Sequence, residues 1–158
     1  MILSRTSQYA IQALIYMAVR PHGDIVLNRT IAQYLSVPPA YLAKIMQVLC
    51  RGNLVQSYRG PTGGFKLKEG AEHTDLMQIL SLIEGPGLTD NCVLGLKICA
   101  DDVPCPVHTQ WKPIKEKIIQ LLHQQTLEKL AAAVRSGKYR IADLPEAILP
   151  GGTDLPPR

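Results

Sequence analysis

A glycine-rich hairpin placed directly after two short helices limits what this chain can fold into more than any other feature. Residues 54–59 and 65–67 are short strand-like runs around Gly60-Pro61-Thr62-Gly63-Gly64. Before them, Ile31, Ala32 and Leu35 place one apolar face on a helix near 30–35, with Asn28 or Thr30 available as its cap. Ser36-Val37 makes a tight turn, and Pro38-Pro39 suits entry into a second helix, since proline at a first helical position sacrifices no intrahelical bond. There Tyr41, Leu42, Ile45, Met46, Val48 and Leu49 recur at helical period to about Arg51. Two helices, a short turn and a following hairpin are the plan of a winged helix-turn-helix. An earlier helix over about 4–20 is expected from Ala10, Ile11, Ala13, Leu14, Ile15, Met17 and Ala18, and Pro21-His22-Gly23 stops it.

The charge distribution agrees with that plan. The whole chain stands at +4, but residues 1–68 hold eight Lys or Arg against one acid, Asp24, whereas the remainder holds more acids than bases. A basic N-terminal module suits a polyanion, here double-stranded DNA. The second helix of such a pair enters the major groove, where Ala40 or Ala43 can meet a thymine methyl and Lys44 or Gln47 can donate to base edges or phosphates. Tyr41 can face the DNA, or pack its ring in the core and leave only its hydroxyl for a phosphate. Arg59 is placed to enter a narrow A·T-rich minor groove. The candidate DNA-contacting set is Asn28, Thr30, Ala40, Tyr41, Lys44, Gln47, Arg59 and Thr62.

The four cysteines divide into one and three. Cys50 lies among apolar neighbours and reads as a small buried hydrophobe. Cys92, Cys99 and Cys105 share the stretch NCVLGLKICADDVPCPVH with His108, at spacing Cys-x6-Cys-x5-Cys-x2-His. Residues 85–108 show no sustained period, and a loop of this length needs a function or an internal staple. No run is long and apolar enough to span a membrane and the N-terminus has no secretory pattern, so a cytoplasmic chain is expected. Thiols clustered in that compartment point to metal or redox chemistry, and four soft or borderline ligands can hold a tetrahedral zinc or an iron–sulfur cluster. The spacing differs from the paired Cys-x2-Cys of zinc ribbons, which tilts the reading modestly away from structural zinc.

Around the loop, Thr74-Asp75 caps a helix to about Glu84 with Leu76, Ile79, Leu80 and Ile83 on one face. From about 111 to 134, Trp111, Ile114, Ile118, Leu121, Leu122, Leu127, Leu130 and Val134 form an apolar stripe near period 3.5, which predicts one long helix able to pair with a second copy. The expected organisation is a DNA-binding domain at 1–84, a cysteine-rich loop at 85–110, a dimerisation helix at 111–135 and a proline-rich, mobile tail at 136–158. The fold class is mainly α with a small β wing.

Ile31-Ala32 through Tyr41-Leu42, Gly52-Asn53-Leu54-Val55 and above all Arg59-Gly60-Pro61-Thr62-Gly63-Gly64-Phe65-Lys66-Leu67 resemble the Rrf-type winged-helix transcriptional regulators, the family of IscR-, NsrR- and CymR-like proteins. The resemblance covers about residues 1–135. It implies a dimeric regulator, usually a repressor, whose cluster state changes its grip on an operator. Carried over position by position, Cys92, Cys99 and Cys105 fall on the family's cysteine ligands, His108 on the histidine that completes a two-iron cluster, and Arg59 on the wing arginine that reads the minor groove. A two-iron two-sulfur cluster is favoured, with four-iron four-sulfur the alternative. The first interval is one residue longer than in the IscR-like pattern. Gln8 stands where NsrR-like members offer an acidic ligand from the partner, which favours His108. Ala43 and Lys44 differ from the polar pair of IscR.

The leading expectation is therefore a homodimeric DNA-binding regulator that senses cluster supply, redox state or nitric oxide. The second is a cluster-free or zinc-stapled regulator answering to a metabolite or partner protein. An enzyme is not expected, because no His, Asp or Glu constellation accompanies a nucleophile.

Overall fold

A computed structural model describes residues 3–60, 63–85, 88–89, 92–97 and 99–139. The elements run α1 (Arg5–Val19), α2 (Asn28–Tyr34), α3 (Pro39–Arg51), β1 (Val55–Tyr58), β2 (Gly64–Leu67), a 3-10 turn (Ala71–His73), α4 (Leu76–Glu84), α5 (His108–Gln124) and α6 (Leu127–Arg135). The mainly helical class with a two-stranded wing is the observed one.

Local chemistry explains most boundaries. Ser4 caps α1 by accepting from the Ser7 N–H, and α1 stops at Arg20, before Pro21. α3 begins on Pro39 at the predicted position. Asp75 and Gln78 form a reciprocal capping box on α4, and Gly85 ends that helix with φ 83. The cap of α2 is the backbone of Leu27, so neither Asn28 nor Thr30 has the capping role expected of it.

One core joins these elements. Ala10, Ala13, Leu14 and Tyr16 of α1 pack with Ile31 of α2 and with Leu42, Ile45, Met46 and Leu49 of α3, all essentially inaccessible to solvent. Each fully buried aliphatic side chain contributes about 1.5–3 kcal/mol. The tilted Tyr16–Tyr34 ring pair, 4.4 Å between centroids, stitches α1 to α2, and burial pushes the Tyr34 phenol above its ordinary range. Cys50 packs half-buried against this core, and burial raises its thiol in the same way.

The wing is an antiparallel pair with Val55 opposite Leu67 and Tyr58 opposite Gly64. An isolated antiparallel bridge between Val26 and Phe65 extends the free edge of β2 near the tip end of the hairpin. Glycine is required there: a Cβ on Gly64 would lie 2.3 Å from the Val26 carbonyl oxygen, and one on Gly63 2.4 Å from that of Tyr58. Lys66 pairs with Gln56 in mid-strand and lies beside Gly23, away from the wing tip. Pro61 and Thr62 lie outside the described residues.

The single helix expected over 111–134 is two helices. α5 starts earlier, at His108, and ends at Gln124; Gln125 is extended, with φ −100 and ψ 108. Thr126 then caps α6 by accepting from the Lys129 N–H at 3.3 Å. The joint is held by two backbone bonds, Leu76 N–H to Gln125 O at 2.9 Å and Leu127 N–H to Thr74 O at 3.1 Å. It leaves α6 packed on α1, with Leu127, Ala131 and Val134 buried and Arg135 donating to the Ala18 carbonyl at 2.8 Å. Of the expected tail, residues 140–158 lie outside the described residues.

Candidate nucleic-acid interface and cysteine loop

The exposed face of α3 presents Pro39, Ala40, Lys44, Gln47 and Arg51. Lys44 and Gln47 are three residues apart and therefore neighbours on one helical face, so both can reach the same stretch of a groove. Ala43 is half-buried beside them. On the other side of a shallow groove of about 430 Å³ stand Ser57, Tyr58 and Phe65 of the wing, and Arg59 is exposed just beyond β1.

Two of the expected contacts have a structural employment. The Asn28 amide donates to the Pro39 carbonyl at 2.8 Å, tying the start of α2 to the start of α3, while its Oδ1 is buried without a hydrogen-bond partner. The Tyr41 ring stands edge-on to Tyr9, and its hydroxyl shares a 2.9 Å hydrogen bond with Thr6 of α1. Tyr41 thus takes the packed alternative and fixes the angle of α3 against α1. Thr30 is half-buried within α2. Arg29, absent from the expected set, is exposed in the first turn of α2 and lines the groove beside Asn28. Its only sequence signal is its share of the basic segment.

The second region is the connection from α4 to α5. Cys92 is buried, and Cys99 and Cys105 are half-buried. The Cys92 and Cys105 sulfurs are 3.4 Å apart, and Cys99 Sγ lies 3.5 Å from His108 Nδ1. Around Cys92 the backbone doubles back through Gly95 N–H to Cys92 O and Cys92 N–H to Leu96 O. The Leu94 N–H donates to Cys92 Sγ at 3.5 Å, which holds that thiol below the ordinary cysteine range. The four donors therefore sit as two contacting pairs; among the described residues no three His, Cys, Asp or Glu side chains gather into one metal-holding group.

His108 opens α5 and is almost fully buried. Its Nε2 meets Asp101 Oδ1 at 2.8 Å, which leaves Nδ1 directed at Cys99. A histidine held by a carboxylate through one ring nitrogen while the other faces thiols is arranged as metal-ligating histidines are. Asp101 also accepts from Lys112 Nζ at 2.6 Å, and the Lys112 ammonium, with His108 second, holds its carboxyl below the usual carboxylate range. The donor chemistry, three thiols and one oriented imidazole, fits an iron–sulfur cluster or zinc. Asp101 was not among the expected residues; an acid two residues after Cys99, between two of the clustered cysteines, was its available signal.

Two features connect the loop to the rest of the molecule. The Glu84 carboxylate at its root accepts from the Ser4 N–H and from the buried Ser7 hydroxyl, and hydrogen bonding from the Ser4 side chain, then from the Ser7 side chain, holds it below the ordinary range. A cavity of about 520 Å³ runs from Leu3 and Met77 past Cys92 to Trp111 and Ile118, and the Trp111 Nε1 is buried with no hydrogen-bond partner. Among the described residues no helix is long and apolar enough to cross a membrane.

A family model described as "Rrf2: Iron-dependent Transcriptional regulator" matches residues 3–133. A protein of Aquifex aeolicus, named as a candidate HTH-type transcriptional regulator, is 32% identical over 132 residues, covering 82% of this chain and 91% of that protein. The HTH-type transcriptional regulator IscR of Pectobacterium atrosepticum is 26% identical over 130 residues, 82% of this chain and 79% of IscR. The structure of CymR, the global cysteine regulator of B. subtilis, superposes with a TM-score of 0.69 at 25% identity, covering 83% of this chain and 96% of CymR.

Proposed function

Since the chain belongs to the Rrf2 family of transcriptional regulators and is a helix-turn-helix DNA-binding protein, we propose that it is a homodimeric repressor, acting in the cytoplasm, whose hold on its operator is set by an iron–sulfur cluster at Cys92, Cys99, Cys105 and His108. The observation that carries this reading is the pairing of donors in the loop: Cys92 with Cys105, and Cys99 with a His108 already oriented by Asp101.

The chain's own residues divide the work. Lys44 and Gln47 read base edges or phosphates in the major groove, and Ala40 offers an apolar contact to a thymine methyl. Arg59 enters the minor groove, and Arg29 secures the backbone beside it. Asn28 and Tyr41 act indirectly by fixing α3 against α2 and α1. Ile114 and Leu121, seven residues apart and exposed on α5, form the seam for the partner's α5. When bound, the cluster supplies thiolate bonds that oxidants or nitric oxide can break, together with a charge that changes on oxidation. Closing the loop onto those donors braces α5 against α4 and so sets the separation of the two recognition helices.

Anaerobic purification followed by cluster reconstitution and a visible absorption spectrum tests the proposal. Charge-transfer bands that disappear in Cys92→Ala, Cys99→Ala and Cys105→Ala are expected; a protein that stays colourless after reconstitution overturns it. Likeness to CymR favours a second reading, a cluster-free or zinc-stapled regulator answering to a metabolite or partner protein, and that colourless result is its signature.

A further inference from the structure

The end of α1, the 3-10 turn and α6 line a cavity of about 240 Å³ to which no residue of the cysteine loop contributes. Its wall carries both signs of charge: Arg20 and Arg135, and Asp24, Glu72 and Glu128. Two of these groups keep buried polar atoms without hydrogen bonds. Arg20 Nε lies 3.5 Å from Asp24 Oδ2 but makes no hydrogen bond to it, and Glu72 Oε2 has no partner. Native structures rarely leave a buried donor and a buried acceptor unsatisfied around one cavity, since each costs about 1–3 kcal/mol.

We propose that this cavity is a binding site for a small zwitterion, a free α-amino acid with a short side chain. A carboxylate satisfies Arg20, assisted by Arg135; an ammonium satisfies Glu72, assisted by Glu128 and Asp24. The volume equals about eight water molecules' share of liquid, enough for an amino acid and too little for a nucleotide. Met17 and Leu67 supply an apolar wall for the side chain. Arg20 is already ion-paired with Asp24 and donates through Nη1 to Tyr16, and Glu72 Oε1 lies 3.9 Å from His73, so it is the two remaining atoms that choose the occupant: a simple anion leaves Glu72 Oε2 without a hydrogen bond, a simple cation leaves Arg20 Nε without one, and a molecule carrying both charges satisfies both. The site is separate from the cysteine loop and does not depend on what that loop binds. It adjoins the wing root, where Lys66 lies beside Gly23, so an occupant sits next to the segment that positions the wing.

The test uses the full chain and millimolar L-alanine, L-serine and L-leucine as probes, read as thermal unfolding midpoint and calorimetric affinity. L-Alaninamide, N-acetyl-L-alanine and inorganic phosphate are the single-charge controls. At least one amino acid is expected to bind and raise the midpoint while the single-charge compounds do not. Glu72→Gln and Arg20→Gln are each expected to weaken binding about tenfold or more, with far-UV circular dichroism confirming that each is folded; Glu69→Gln, outside the cavity, retains wild-type affinity. The proposal is overturned if no probe amino acid binds, if a single-charge analogue binds as well, or if the folded Glu72→Gln or Arg20→Gln variant binds as wild type does.

Discussion

Arg59 and His108 show how differently two residues depend on their surroundings. Arg59 is exposed beside the wing tip, and its value lies in where the wing holds it. Arg59→Ala is expected to weaken binding most for operators with an A·T-rich minor groove, by about 1–3 kcal/mol, in gel-shift titrations across operator variants; an equal loss on every sequence marks a phosphate contact instead. His108 is useful because Asp101 fixes its ring. Asp101→Asn is therefore expected to leave the fold intact and lower cluster retention about 10- to 100-fold, measured as the decay of visible absorbance under a chelator. Glu84 gives a pH signature. Its folded-state carboxyl is held low by Ser4 and Ser7, so its stabilisation is complete above the unfolded value, near 4.3, and is lost as pH falls through the lower folded value. Glu84→Gln is expected to melt earlier than wild type at neutral pH, with the difference shrinking in acid; a difference that is constant with pH refutes the assignment.

At the scale of elements, periodicity and caps made most of the fold legible. Pro39, the Asp75–Gln78 box and the glycine turn each carry a local signal that the observed boundaries follow. The joint between α5 and α6 was hidden because the apolar stripe continues across it without changing period. Leu122 and Leu127 belong to one stripe in sequence, yet Leu122 packs with Met77 and Leu80 while Leu127 enters the main core. Thr126, followed by Glu128 in the first turn of α6, was the cap signal that marked the break. The clustered cysteines stood out in the sequence because thiols have few other uses at such density. That Asn28 and Tyr41 also brace α3 was not legible, because a sequence does not say whether a polar tip faces solvent or a neighbouring helix. The wing offers the sharpest test at this scale. Gly64→Ala forces a side chain into the Val26 carbonyl, so a lower thermal midpoint and weakened DNA binding are expected together, with α1 to α3 retained by circular dichroism.

For the molecule as a whole, the position of α6 changes where a partner can dock. The stripe over 111–134 reads as one long pairing surface, but α6 is consumed in its own protomer's core, and α5 is left with Ile114 and Leu121 facing outward. Ile114→Glu with Leu121→Glu is accordingly expected to give a folded monomer in sedimentation experiments, with operator affinity reduced by the loss of one half-site. A dimer that survives both changes places the interface elsewhere. The backbone pair between Leu76 and Gln125, reinforced by His123 against Asp75 at 3.1 Å, clamps the start of α4 to the end of α5. The intervening chain is thus a closed circuit whose ends are fixed whatever lies between them. For a chain segment of about two dozen residues closed between fixed ends, adding or removing one residue alters the closure entropy by only about 0.04 kcal/mol, because that cost grows with the logarithm of length. A change of loop length therefore costs almost nothing in closure while α4 and α5 keep their relation, and what a longer or shorter segment must preserve is the directions in which its thiols and imidazole point.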